Sequence, residues 1–122
     1  MAAEIITELG SIRMNDDIIA TIAGYAAVEN YGIVGMNAKT VSDAVTQLFG
    51  KDDIKKGVKI TINKDGEVDV DLFVTLEYGV SLPAVAANTQ KNVRYRLEEM
   101  TGLTVNNINV HVEAIRVDGN RV

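Results

Sequence analysis

Between residues 58 and 76 the chain alternates with a period of two over most of its length. Val58, Ile60 and Ile62 are separated by Lys59 and Thr61, and Val68, Val70, Leu72, Val74 and Leu76 by Asp69, Asp71, Phe73 and Thr75. Successive side chains of a strand point to opposite faces, so each run has one apolar face and the pair reads as a hairpin. The connection selects the register. A two-residue Asp65-Gly66 loop sets Ile62 opposite Asp69 and mixes apolar with acidic side chains on one face, which a half-buried sheet disfavours. A three-residue loop, Lys64-Asp65-Gly66, pairs Ile62 with Val68, Ile60 with Val70 and Val58 with Leu72. Gly66 then takes the left-handed position of a type I turn with a G1 bulge. Lys59 falls opposite Asp71, a pair worth about a few tenths of a kcal/mol. The three-residue loop is the expected one, and it turns Phe73 toward the face away from the apolar row.

Around this hairpin the periodicity switches. Gly10 to Met14 alternates weakly as a strand, and residues 1–8 either pair into the sheet or stay loose. Asn15 is a helix N-cap followed by Asp16 and Asp17, whose carboxylates complement the helix dipole. Ile18, Ile19, Ile22, Ala23 and Ala26 follow at helical spacing. Ile33-Val34, between Gly32 and Gly35, reads as a brief strand or extended link. Val41, Ala44, Val45, Leu48 and Phe49 predict a second helix, with Thr40 and Asp43 as a capping box and Gly50 as its stop. The stretches 30–39 and 50–57 are the expected loops, with Asp52-Asp53 and Lys55-Lys56 a charged turn. Ser81 caps a third helix that tolerates Pro83 in its first turn, buries Leu82, Ala86, Thr89, Val93, Leu97 and Met100, and ends at Gly102. The last strand places Ile108, Val110, Val112 and Ala114 on one face, and Asn109, His111, Glu113, Ile115 and Val117 on the other. The expected fold is a two-layer α+β domain over residues 1–122, in the order β-α-(β)-α-β-β-α-β. Its sheet is mixed or antiparallel, with helices mainly on one face.

Composition narrows the function classes. A chain of 122 residues fits one domain, and 47% hydrophobic with 24% charged residues is globular rather than disordered. There is no cysteine, which excludes disulfides, thiol nucleophiles and thiolate metal sites. The N-terminus lacks the pattern of a secretory signal, and no apolar run approaches the ~18 residues of a membrane span. A cytoplasmic protein is expected. The net charge of −5 opposes non-specific attraction to nucleic acid or anionic lipid.

The polar inventory is thin. His111 is the only histidine, so histidine pairs and HExxH arrangements cannot form. Ser11, Ser42 and Ser81 sit in no nucleophile elbow, and Gly32-x-x-Gly35 lacks the rest of a dinucleotide loop. Asp69, Asp71 and Glu77 make an acidic column that, with His111 or Glu113, either ligates a divalent ion or is simply the wet side of a sheet. Lys91, Arg94, Tyr95 and Arg96 form a basic stretch with an aromatic, readable as an RNA contact or as a solvated helix face diluted by Glu98 and Glu99. Phe73, Ile115 and Val117 are apolar where polar side chains are expected. A bulge rotates the last two inward, or these residues meet another subunit or protein.

Three segments together resemble the alkaline-shock-protein family of Gram-positive bacteria, also called the Gls24-type or envelope stress response family. They are Gly10-Ser11-Ile12 through Ile22-Ala23, Ala26-Ala27, Glu29 and Gly32-Ile33-Val34-Gly35-Met36; the 58–79 hairpin ending in Glu77-Tyr78-Gly79; and Val93-Arg94 followed by Met100-Thr101-Gly102-Leu103, Val105 and Ile108-Asn109-Val110-His111-Val112. The chain departs from the longer members in ending soon after the last strand, where they carry charged or low-complexity tails. The resemblance implies a small cytoplasmic protein linked to envelope or alkaline stress, held at the membrane through a membrane-protein partner. It transfers no catalytic residue. The expectation is a non-enzymatic interaction or scaffold protein that forms homo-oligomers, binds no cofactor and has little affinity for nucleic acid. An RNA- or ribosome-associated module and a small metal- or ligand-binding domain are the alternatives.

Overall fold

The computed structural model describes residues 2–36 and 53–117. In chain order the elements are strands β1 (Ala2–Thr7) and β2 (Gly10–Asn15), helix α1 (Asp16–Val28), strand β3 (Ile33–Met36), a one-turn helix α2 (Asp53–Lys56), strands β4 (Val58–Ile62) and β5 (Val68–Glu77), helix α3 (Leu82–Thr101) and strand β6 (Val105–Arg116). β1 and β2 form a separate antiparallel hairpin. The other four strands make a mixed sheet centred on β5. One edge of β5 is filled in tandem by β4, opposite residues 68–72, and by β3, opposite residues 74–76, both antiparallel. The other edge carries β6 in parallel for its whole length. A parallel pair needs a crossover connection, and α3 supplies it.

The observed hairpin register is the one expected from the three-residue loop. Val58 pairs with Leu72, Lys59 with Asp71, Ile60 with Val70 and Ile62 with Val68. Gly66 has φ +80°, its N–H donates to the Asn63 carbonyl at 3.0 Å, and the Asn63 N–H donates to the Glu67 carbonyl at 2.9 Å. The Asn63 side chain reinforces the turn: its Oδ1 accepts from the N–H groups of Asp65 and Glu67, both at 2.9 Å. Both helix starts are as expected: Asn15 Oδ1 accepts from the Ile18 N–H at 3.2 Å, and Ser81 Oγ from the Ala84 N–H at 3.4 Å. Gly102 closes α3 in the left-handed region.

Helices α1 and α3 pack on each other and on one face of the sheet. The helix-facing row of β5 (Val68, Val70, Leu72, Val74 and Leu76) is completely buried. The buried stripe of α3 is Val85, Thr89, Val93, Leu97 and Thr101, a strict four-residue repeat. Leu82 and Met100, expected inside, are exposed, as is Ile18 on α1. Leu82 precedes the first buried residue of α3, Val85, whereas Ile18 and Met100 sit one position off the buried Ile19 and Thr101 and so point away from the stripe. α1 buries mainly small residues (Ala20, Ala23, Gly24, Ala26 and Ala27) with Ile19. Close approach explains the choice: a Cβ on Gly24 would fall 2.1 Å from Ile54 Cγ2 and 2.9 Å from the Ile54 carbonyl oxygen.

Two further differences from the expected order concern connections. Residues 2–7 pair with β2 rather than with the main sheet, so the chain opens with a hairpin instead of one strand. Ala3 is buried and Ile5 and Met14 pack against the core, while Leu9 at the hairpin tip is fully exposed. Within the expected loop at 50–57, residues 53–56 form α2. The helix expected over Val41–Phe49 lies outside the described residues.

Leu72→Ala is expected to lower unfolding free energy by about 2–5 kcal/mol through the cavity it opens. Gly66→Ala, forcing a Cβ into the left-handed region, is expected to lower it by about 1 kcal/mol. Urea midpoints measure both, and a loss for Gly66→Ala no larger than for Lys64→Ala would contradict the assigned turn.

Candidate partner-binding surface

The second face of the sheet carries no helix among the described residues, and its side chains follow from the parity of β5. Asp69, Asp71, Phe73 and Thr75 alternate with the buried row and are half-buried. β6 brings Asn107, Asn109 and His111 alongside them by pairing with Asp69, Asp71 and Phe73. Phe73 and His111 stack with ring centroids 4.5 Å apart and planes inclined by 9°. Asp71 Oδ1 accepts from Asn109 Nδ2 at 3.1 Å and lies 3.0 Å from His111 Nε2. Asp69 Oδ1 accepts from the Asn107 N–H at 3.1 Å. Asp69 and Asp71 therefore tie β5 to β6, a role beyond the two expected readings of the column as a divalent-ion site or as the wet side of a sheet. Among the described residues no three His, Cys, Asp or Glu side chains gather into a set that could hold a metal. Glu77, at the strand end, is exposed opposite Arg116.

Two irregularities in β6 decide where its apolar residues go. The register slips by one residue at Asn106 and again at Glu113, so Val112 pairs with Val74 but Ala114 pairs with Thr75 and Ile115 with Leu76. The second slip is a bulge that returns Ile115 to the helix-side parity. The rotation does not bury it: Ile115 remains 41% exposed and Val117 51%. Phe73 and Ile115 thus lie on opposite faces of the sheet, and Val117 follows the end of β6, so the expected single surface divides. A one-residue insertion leaves no mark on an alternating pattern except the apolar residues of wrong parity, and those were the visible signal.

The edge of β6 away from β5 pairs with no other described strand. Its carbonyls at Asn106 and Ile108 are instead taken by side chains of α3: Arg94 Nη2 donates to the first at 3.0 Å and Gln90 Nε2 to the second at 2.8 Å. A groove of about 350 Å³ runs along this edge, lined by Gln90, Lys91, Arg94, Asn107, Ile108 and Asn109. Neither the edge nor the groove was read from the sequence, because the parallel placement of β6 could not be.

The basic stretch of α3 is divided. Lys91 and Arg94 face the β6 edge. Arg96 turns toward α1, where its Nη2 pairs with Glu29 Oε1 at 3.0 Å beside a second, mainly apolar groove formed by Thr21, Ile22, Tyr25 and Met100. Tyr95 donates its hydroxyl to Glu99 Oε2 at 2.9 Å. The four side chains do not converge on one surface. That hydrogen bond, with the negative charge of Glu99, raises the Tyr95 pKa above 10.0.

Because the hydroxyl is favoured in the folded state, the Tyr95–Glu99 contact is present at neutral pH and is lost as pH rises through the raised pKa. Ultraviolet difference titration of wild type and Glu99→Gln should show one tyrosine titrating earlier in the variant. Identical curves would contradict the assignment.

Comparison with known proteins gives a consistent picture. Residues 4–117 match the model of the alkaline shock protein 23 family, described as having a cell envelope-related function. The uncharacterized protein YloU of Bacillus subtilis is 35% identical over 119 residues, 96% of this chain and 98% of that one. The uncharacterized protein Spy1614 of Streptococcus pyogenes is 38% identical over 120 residues, 98% of each chain. A stress response regulator gls24 homolog of Streptococcus pyogenes is 27% identical over 107 residues; these cover 88% of this chain and 59% of that longer protein. No solved structure matches the chain.

Proposed function

Since this chain belongs to the alkaline shock protein 23 family, whose function is cell envelope-related, we propose that it is a non-enzymatic scaffold acting in envelope stress homeostasis by self-association and by binding protein partners. The likeness to proteins named stress response regulator gls24 homologs supports the stress role. The observation that carries the interaction role is the one-sided burial of β5. Its helix-side row is completely buried, whereas its other row presents Phe73, stacked on His111, on a face with no described covering layer. An aromatic held flat by a neighbouring ring is a preorganised anchor, since little side-chain entropy is lost when a partner covers it. The carboxylates beside it, Asp69 and Asp71, are committed to bonds with β6, which supports the non-enzymatic reading. No described helix is long and apolar enough to cross a membrane; on this reading a place at the envelope is reached through a membrane-anchored protein partner. The protein works in the cytoplasm.

Size-exclusion chromatography with light scattering at low micromolar concentration should give a mass above that of one chain. Immobilised wild-type protein should retain a partner from envelope fractions, with at least tenfold weaker retention by Phe73→Ala. A strict monomer that retains no protein would overturn the proposal.

A further inference from the structure

Strand β6 is twelve residues long, yet among the described residues only a short window of its outer edge is left open. In a parallel pair, alternate residues of each strand turn their N–H and C=O toward the partner and the rest turn away. The side-chain bonds from Gln90 to the Ile108 carbonyl and from Arg94 to that of Asn106 show which residues of β6 turn away from β5. By alternation Val110 and Val112 do the same. The window closes at one end where Gln90 occupies the Ile108 carbonyl, and at the other where the bulge at Glu113 interrupts the register. Residues 109–113 remain, with His111 at the centre and the outward donors and acceptors of Val110 and Val112 on either side.

From this symmetry we infer that the open window of β6 pairs antiparallel with the same window of a second copy, about a twofold axis at His111. The inference rests on the self-association proposed above and specifies its surface. Val110 of each copy exchanges both backbone hydrogen bonds with Val112 of the other, and His111 faces its own counterpart as a non-hydrogen-bonded pair. The charges agree. Lys91 and Arg94 line the groove at the Asn109 end of the window, and Glu113 lies at the other end, so the twofold brings each Glu113 to the other copy's cationic end. Val110 and Val112, half-buried against the helix layer, meet across the axis, and the exposed Ile115 lies just beyond the bulge. The two mixed sheets become one continuous sheet. The Gln90 and Arg94 bonds cap the flanking carbonyls, a device that limits strand addition to this register.

The absence of native cysteine makes the test direct. At a non-hydrogen-bonded antiparallel pair the two Cα atoms lie about 4.5 Å apart, within disulfide range. Under mild oxidation His111→Cys should cross-link to a covalent dimer, while Thr61→Cys, exposed on β4 of the same sheet, should not. Val112→Pro removes an outward N–H but no bond to β5, as edge strands tolerate. It should keep the wild-type circular dichroism and weaken self-association at least tenfold. Cross-linking of His111→Cys together with loss of association in Val112→Pro establishes the interface. If the wild-type protein associates but His111→Cys cross-links no faster than Thr61→Cys and folded Val112→Pro keeps the wild-type mass, this interface is wrong and the scaffold reading survives. A wild-type monomer that still retains a partner overturns the interface, and one that retains none overturns both.

Discussion

The structure depends on the demand that β5 makes on its surroundings. Its helix-side row of five branched apolar side chains is completely buried, and both of its hydrogen-bonding edges are filled, by β6 on one side and by β4 and β3 end to end on the other. To bury that row, α1 and α3 must lie side by side across it. To fill the second edge in parallel, the chain must cross over, and α3 is that crossover. The small residues of α1 and the four-residue repeat of α3 are the packing counterparts of this arrangement. Links between the helices, the Arg96–Glu29 ion pair and the Asn92–Asn30 hydrogen bond, hold the layer together.

The same demand leaves two surfaces unsatisfied. With two long helices on one face, the other face carries, among the described residues, side chains that reach from strand to strand: Asp69 and Asp71 toward β6, and Phe73 against His111. With β5 at the centre of a sheet three strands wide, β6 becomes an edge, and edges need cover. α3 covers part of it with Gln90 and Arg94. What remains is short, symmetric and flanked by opposite charges, which suits it to a second copy of the chain rather than to open-ended strand addition. The proposed interaction surfaces and the stability of the core thus trace to the same packing arrangement.

Much of this was legible in the sequence where the signal is local. The period-two rows and the Lys64-Asp65-Gly66 loop determined the hairpin register, and Asn15, Ser81 and Gly102 marked helix ends correctly, because each acts through its immediate neighbours. The outward placement of Phe73 followed from the same parity. Non-local features were hidden. That β6 runs parallel to β5 depends on how α3 crosses the sheet, and that its register slips at Glu113 depends on the partner strand. Periodicity overextends the stripe of α3 at Leu82, and it does not separate Ile18 from the buried Ile19 or Met100 from the buried Thr101, since which of two adjacent positions is covered depends on the angle at which the opposing layer meets the helix. The division of Lys91 and Arg94 from Arg96 followed from the position of α1, which the sequence of α3 does not contain.

The central claim is that the protein satisfies its folding demand on one face of β5 and leaves the opposite face and the β6 edge for other chains. Amide hydrogen exchange measured across a range of protein concentrations tests it most directly. The account predicts that the Val110 and Val112 amides exchange quickly at high dilution and slow as concentration rises, while exchange in β4 and in the core of β5 stays constant. Fast exchange at Val110 and Val112 at every concentration, with concentration-dependent protection elsewhere or nowhere, would contradict it.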